Sequence, residues 1–260
     1  MTSTRPRTHW IWFIIIGLVA GFLSGLFGVG GGIIIVPALV IAAGFDQRLA
    51  AGTSLAAIVP TATVGVISYA TTGNVNWIAA GILAIGSVVG AQIGSHLLSR
   101  LPKRVIQWSF IGFIVIVVVS LFLVIPSRDA ELEFTVLSTI GLVVLGLVVG
   151  ILAGILGIGG GVIIVPVLIL LFGASDLVAK GTSLLMMIPT AISGTIGNVR
   201  RKNVDLRAAL VIGVAACTTT ALGAIVAVTI TPMAANILFA VLLVGVGLQL
   251  IYRATRTPKA

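Results

Sequence analysis

Charge is scarce in this sequence. Asp, Glu, Lys and Arg make up 8% of its 260 residues, whereas a soluble domain carries about a quarter to cover a surface that faces water. The deficit excludes a water-soluble enzyme built around a large core. Acidic residues are the rarest charges: Asp46, Asp129, Glu131, Glu133, Asp176 and Asp205 are all there are, and each falls in a loop or at the end of an apolar run. No carboxylate lies mid-run, where cation transporters and proton relays keep one. No Lys or Arg lies there either.

Cysteine is nearly absent. Cys217 is the single one and sits in an apolar run, so there is no disulfide framework and no thiol pair. His9 and His96 are far apart and form no metal-ligand cluster with it. Zinc, redox chemistry and a cofactor are not expected. An enzyme is not expected either, because no nucleophile–base pair occurs within the apolar runs.

What remains is apolar. Hydrophobic residues are 59% of the chain and mean hydropathy is +1.28, so the solvent is lipid. The net charge of +9 reads as retention of basic loops on the cytoplasmic side, not as a nucleic-acid surface. Arg5 and Arg7 ahead of the first apolar run resemble the start of a signal peptide. The same run recurs inside the chain, however, and belongs to the fold.

That recurrence is the strongest pattern present. Residues 17–76 align with 146–205 at a constant offset of 129, with 28 of the 60 positions identical and no gap. Glycines, GTS and PTA all coincide. The apolar runs divide each half into five segments: 10–27, 33–44, 50–71, 77–98 and 104–125, then 134–156, 162–173, 179–198, 206–229 and 234–252. A spanning helix needs about 20 residues. The second segment of each half has about a dozen, or roughly 18 Å at the helical rise, and reads as a half-helix or re-entrant piece.

Placing the basic clusters inside puts 13 basic residues there and leaves Arg128 and Lys180 outside, a strong positive-inside bias. Equivalent loops then fall on opposite sides: Asn74 lies in an uncharged loop, Asn203 in the basic RRKNVDLR loop. The expected fold is an all-α polytopic membrane protein of two inverted-topology repeats. Each repeat has full spanning helices plus a short glycine-broken half-helix, giving eight to ten membrane segments. The expected boundaries are an N-terminal repeat at 1–126, an extracytoplasmic linker at 127–133 and a C-terminal repeat at 134–260. Both termini are expected in the cytoplasm, with the chain in the inner (plasma) membrane. Glycines spaced by four, Gly17/Gly21/Gly25 and Gly86/Gly90/Gly94, suit close helix packing and also offer a surface for a homo-oligomer.

Three repeated features are candidates for function. The run Gly28, Gly30, Gly31, Gly32 and its copy Gly157, Gly159, Gly160, Gly161 separate a full segment from a short one. A break at membrane depth must line protein or a wet cavity, and the N–H groups opening the short helix form an anion site without a basic side chain. As a dinucleotide or Walker motif the run fails, since residue 33 is Ile and no Walker lysine follows. Thr53-Ser54 and Thr182-Ser183 open the third segments, where they either cap a helix or contact substrate. Pro60-Thr61 and Pro189-Thr190 mark kinks that either face the substrate path or serve packing. Pro37 and Pro166 suit the first turn of the short helices. The expected substrate-binding set is thus Gly30, Gly31, Gly32, Thr53, Ser54, Thr61, Gly159, Gly160, Gly161, Thr182, Ser183 and Thr190.

On the duplicated GxGGGxxxVP at Gly28–Pro37 and Gly157–Pro166, with the GTS and PTA that follow in each half, the sequence resembles the sulfite exporter TauE/SafE family of membrane permeases. The resemblance implies a multi-pass transporter for a small sulfur-containing anion such as sulfite or sulfoacetate. Export is the expected direction. Uptake of the same anions, or a non-transporting subunit that docks a soluble partner through the basic loops, is the alternative.

Overall fold

In a computed structural model, residues 10–123 and 135–256 are described. The linker expected at 127–133 lies outside them. The described residues form ten helices: α1 (Trp10–Phe27), α2 (Gly32–Ala42), α3 (Gln47–Ala70), α4 (Trp77–Arg100), α5 (Lys103–Leu123), α6 (Val136–Leu156), α7 (Gly161–Phe172), α8 (Asp176–Arg200), α9 (Leu206–Thr229) and α10 (Pro232–Arg256). Seven of these are long and apolar enough to cross a membrane. The 11-residue α2 and 12-residue α7 are not.

Polarity is distributed inside out. Trp77, Ile78, Ile85 and Val89 point outward from α4, while Ser87 and Ser95 of the same helix are buried. In water such an exterior would be a liability; against lipid it is the expected face, and the hydroxyls turn inward to find partners.

The two halves do not pack as separate bodies. The first helix of each half lies against the fourth helix of the other, α1 on α9 and α6 on α4. Glycine makes this possible. A methyl carbon placed on Gly17 would lie 2.5 Å from the Ile212 carbonyl oxygen, and one on Gly90 would lie 2.8 Å from the Ile151 nitrogen. Gly21 and Gly25 meet Ala216 and Thr220 in the same way, and Gly86 and Gly94 meet Val143 and Ile151. The glycine faces that suggested a homo-oligomer surface are therefore occupied within one chain.

Contacts recur with the halves exchanged, as across an internal two-fold. Thr53 Oγ1 accepts from the Asp205 N–H at 3.0 Å, and Thr182 Oγ1 accepts from the Asn76 N–H at 2.9 Å. The two pairs are the same pair at the 129-residue offset. Isologous contact of this kind is how a two-fold interface is built.

Two sequence expectations are corrected here. The GTS hydroxyls do not cap their own helices: α3 starts at Gln47 after Asp46, and α8 at Asp176 after Ser175. The threonines reach across instead to Asp205 and Asn76, the N-cap residues of α9 and α4. Pro37 and Pro166 are the sixth residues of α2 and α7, past the first turn, so each removes a helical hydrogen bond at the carbonyl four residues earlier.

Candidate substrate site at the glycine breaks

The helix α1 stops at Phe27 because Gly28 turns to φ 70°, and Gly30 and Gly31 follow at φ 71° and 76°. In the second half Gly157, Gly159 and Gly160 take φ 74°, 76° and 91°. Left-handed backbone of this kind is open to glycine and strained for other residues. Both short helices then open with a left-handed glycine at the N-cap, Gly31 and Gly160.

At the start of α2 the N–H groups of Ile34 and Ile35 both reach the Gly31 carbonyl, each at 3.0 Å; in α7 those of Ile163 and Ile164 reach Gly160 at 3.1 and 3.2 Å. The amides ahead of them, on Gly32 and Ile33 and on Gly161 and Val162, belong to the turn that a helix leaves without internal acceptors. They carry the positive end of the helix dipole.

The structure brings these two openings together. A methyl on Gly32 would lie 2.6 Å from Ile158 Cα and 2.8 Å from the Gly157 oxygen; one on Gly161 would lie 2.7 Å from the Gly28 oxygen. Between the loops stand Ile58 and Met187, equivalent residues of α3 and α8, and both touch Gly30 and Gly159. Both are fully buried. The centre is thus packed shut by two side chains, one of them an unbranched thioether that adapts its shape readily.

Not every expected residue reaches this centre. Gly30, Gly32, Gly159, Gly161 and Ser183 do: Ser183 Oγ donates to the Gly28 carbonyl at 3.0 Å and stands 2.8 Å from a methyl placed on Gly161. Its counterpart Ser54 is fully buried with no hydrogen-bond partner among the described residues. Gly31 and Gly160 face away, onto Ala20 of α1 and Val149 of α6. Thr53 and Thr182 are engaged with the opposite half, as above. Thr61 bonds the Ala57 carbonyl of its own helix at 2.9 Å, and Thr190 bonds Met186 at 2.8 Å and Ser87 Oγ at 2.6 Å. The helices α3 and α8 run through Pro60 and Pro189 without interruption.

Two features went unread in the sequence. Ile58 and Met187 carry no polar group to flag them, although the repeat alignment pairs them. Lys180, at the start of the 179–198 run, counts as an outer-side charge in the sequence, but it is the fifth residue of α8, 5% exposed, and pairs with Asp176 at 3.3 Å. Its Cα and Cβ would each lie 2.6 Å from a methyl on Gly28.

A cavity of about 700 Å³ lies elsewhere, at the end of the bundle that holds the basic α8–α9 loop; Trp10, Phe45, Asp46, Lys202, Asp205 and Arg207 are among its walls.

Apolar spans turned outward, an inside-out core and paired helix breaks define a multi-pass membrane protein with a transporter's architecture. The chain belongs to the sulfite exporter TauE/SafE family, whose model matches residues 2–121 and 142–260, and the members of this family are membrane transporters. It is 28% identical to the probable membrane transporter protein YunE of Bacillus subtilis, over 92% of this chain and 96% of that one. A probable membrane transporter protein of Xylella fastidiosa is 30% identical over 92% and 93% of the two chains. The sulfite exporter TauE/SafE family protein 2 of Arabidopsis thaliana is 29% identical over 51% of this chain and 29% of its own length. No solved structure matches.

Proposed function

We propose that the chain is a secondary transporter that exports a small sulfur-containing anion, sulfite or a sulfonate such as sulfoacetate, across the plasma membrane by alternating access. The observation that carries this reading is the meeting of the two glycine breaks around Ile58 and Met187. Two helix N-termini brought to one point favour an anion there, and the buried Ser54 hydroxyl, without a partner among the described residues, is free to donate to it. In this reading the amides of Gly30 and Gly32 and of Gly159 and Gly161, the glycines that meet at the centre, hold the anion. Thr53, Thr182, Thr61 and Thr190 steady the helices that present them.

The two repeats, 1–126 and 134–260, sit inverted in the membrane, with the basic Arg200–Arg207 loop and both termini in the cytoplasm. The cavity beside Lys202 and Arg207 then becomes the inner vestibule. A negative-inside potential drives a monoanion outward by about 2.3 kcal/mol per 100 mV, a gradient of roughly fifty-fold. Export therefore requires no coupling cation. Self-association, where it occurs, uses a surface other than the glycine faces.

Efflux from proteoliposomes loaded with sulfite or sulfoacetate tests the proposal. Saturable flux that accelerates with an outward driving potential supports it. Flux of cations or taurine alone would overturn it.

A further inference from the structure

The repeat departs from its own symmetry where α8 meets the first glycine break. Asp176 and Lys180 form a buried ion pair at 3.3 Å, with side chains 4% and 6% exposed. At the equivalent positions of the first half stand Gln47 and Ala51, and Ala51 makes the same contact: its Cα would lie against a methyl on Gly157, as Lys180 Cα lies against one on Gly28. The neutral version of this joint thus already exists in the molecule and packs. A buried ion pair is weak evidence for stability, because apolar groups of similar size hold a core as well or better. The pair therefore calls for an explanation other than folding.

Its surroundings supply one. The stem of Lys180, from Cα to Cγ, lies against Gly28, the residue that opens the break. Ser183, one turn further on the same helix face, donates to the Gly28 carbonyl. Tyr69 closes the other flank: its Cβ would lie 2.9 Å from a methyl on Gly181, and its hydroxyl donates to the Gly25 carbonyl at 2.7 Å. The ammonium group is thus held one helical turn from the mouth of the break, with a carboxylate as its counter-ion.

We infer that Lys180 is a second anion subsite on the transport path and that Asp176 is its resident stand-in, a tethered carboxylate that a sulfite, sulfonate or carboxylate substrate displaces as it passes the first break. This rests on the anion-transport reading and adds a cationic residue to a site otherwise made of amides and hydroxyls. A carboxylate and a sulfonate offer an ammonium group the same oxygen acceptors, and the exchange keeps the buried charge compensated throughout. The position is asymmetric, so an anion meets this cation on one side of the centre only.

The test uses the full-length protein in detergent and in liposomes, with sulfite and sulfoacetate as probes. Asp176→Asn removes the competitor: both anions should bind about tenfold more tightly, the size of one hydrogen bond to a charged group, and should raise the melting temperature more than in the wild type. The double variant Asp176→Gln/Lys180→Ala copies the first half; it should insert and melt normally but bind the anions about tenfold more weakly. If Asp176→Asn does not fold, the double variant decides alone. Unchanged affinity and flux in the double variant would overturn the inference while leaving the transport reading intact. So would a double variant that fails to insert, since the pair would then serve the fold. A wild type that neither binds nor moves either probe would sink the transport reading itself.

Discussion

Thr182 of one half accepts, through its side-chain oxygen, the backbone N–H of Asn76 in the other at 2.9 Å. The bond is made again by Thr53 and Asp205, so the two halves are pinned together twice at the N-caps of α4 and α9.

Replacing either threonine by valine keeps the shape and removes the acceptor. Thr53→Val or Thr182→Val should each lower stability by about 1–3 kcal/mol, the usual cost of leaving a buried donor without a partner. Thr→Ser at the same position should recover most of it. Melting of the purified protein with and without the serine rescue measures the difference. Equal stability for valine and serine would show that the hydroxyl does nothing there.

Met187 closes the centre against both breaks. Met187→Ala should cost roughly 2–5 kcal/mol through the space it leaves and should raise the passive leak of anions through the bundle. Met187→Leu, similar in volume, should cost less than about 1.5 kcal/mol while slowing transport, because a branched side chain moves aside less easily. Flux and melting read together separate a plug from a plain core residue. A Met187→Ala protein with wild-type leak would discard the gate.

The glycines divide into two groups by what surrounds them. Gly25→Ala and Gly90→Ala place a methyl against the backbone of α9 and α6, at Thr220 and Leu147, and should prevent stable assembly. Gly81→Ala and Gly245→Ala meet open space and should be neutral or stabilising by about 0.5–1 kcal/mol, the helix preference of alanine over glycine. Expression level and melting temperature of the four variants check the split.

Inverted halves predict opposite accessibility at equivalent sites. Thr71 and Arg200 are both exposed and occupy the same place in the repeat, 129 residues apart. In a Cys217→Ser background, Thr71→Cys should react with a membrane-impermeant maleimide in intact cells. Arg200→Cys should react only after the membrane is opened. Labelling of both from the same side would rule out the inversion.

Much of the helix layout was legible in the sequence because it follows from lipid. The runs at 33–44 and 162–173 correspond to α2 and α7 within a residue or two, since a dozen apolar residues after a glycine run leave little other reading. The repeat made every contact pair interpretable twice. The chain's exchange of partners, α1 with α9 and α4 with α6, was not legible: the glycine spacing announces a close crossing but not which helix comes to it. At the candidate site the breaks stood out through φ-permissive glycines. Ile58 and Met187 were hidden, since an apolar plug looks like any core residue. Lys180 escaped for a related reason: at the start of the 179–198 run it counts as a charge on the outer side, whereas the cap at Ser175 starts α8 a turn earlier and buries it.

The exchanged pairing has a consequence for how the protein is made. When α1 leaves the ribosome, the surface that fits its glycine stripe is α9, almost two hundred residues downstream. Until α9 is synthesised, α1 waits in the bilayer with its close-packing face against lipid or a helper protein. Contacts between residues so distant in the chain form late. Neither half can finish alone: α6 finds α4 already made, while α1 has to wait for α9.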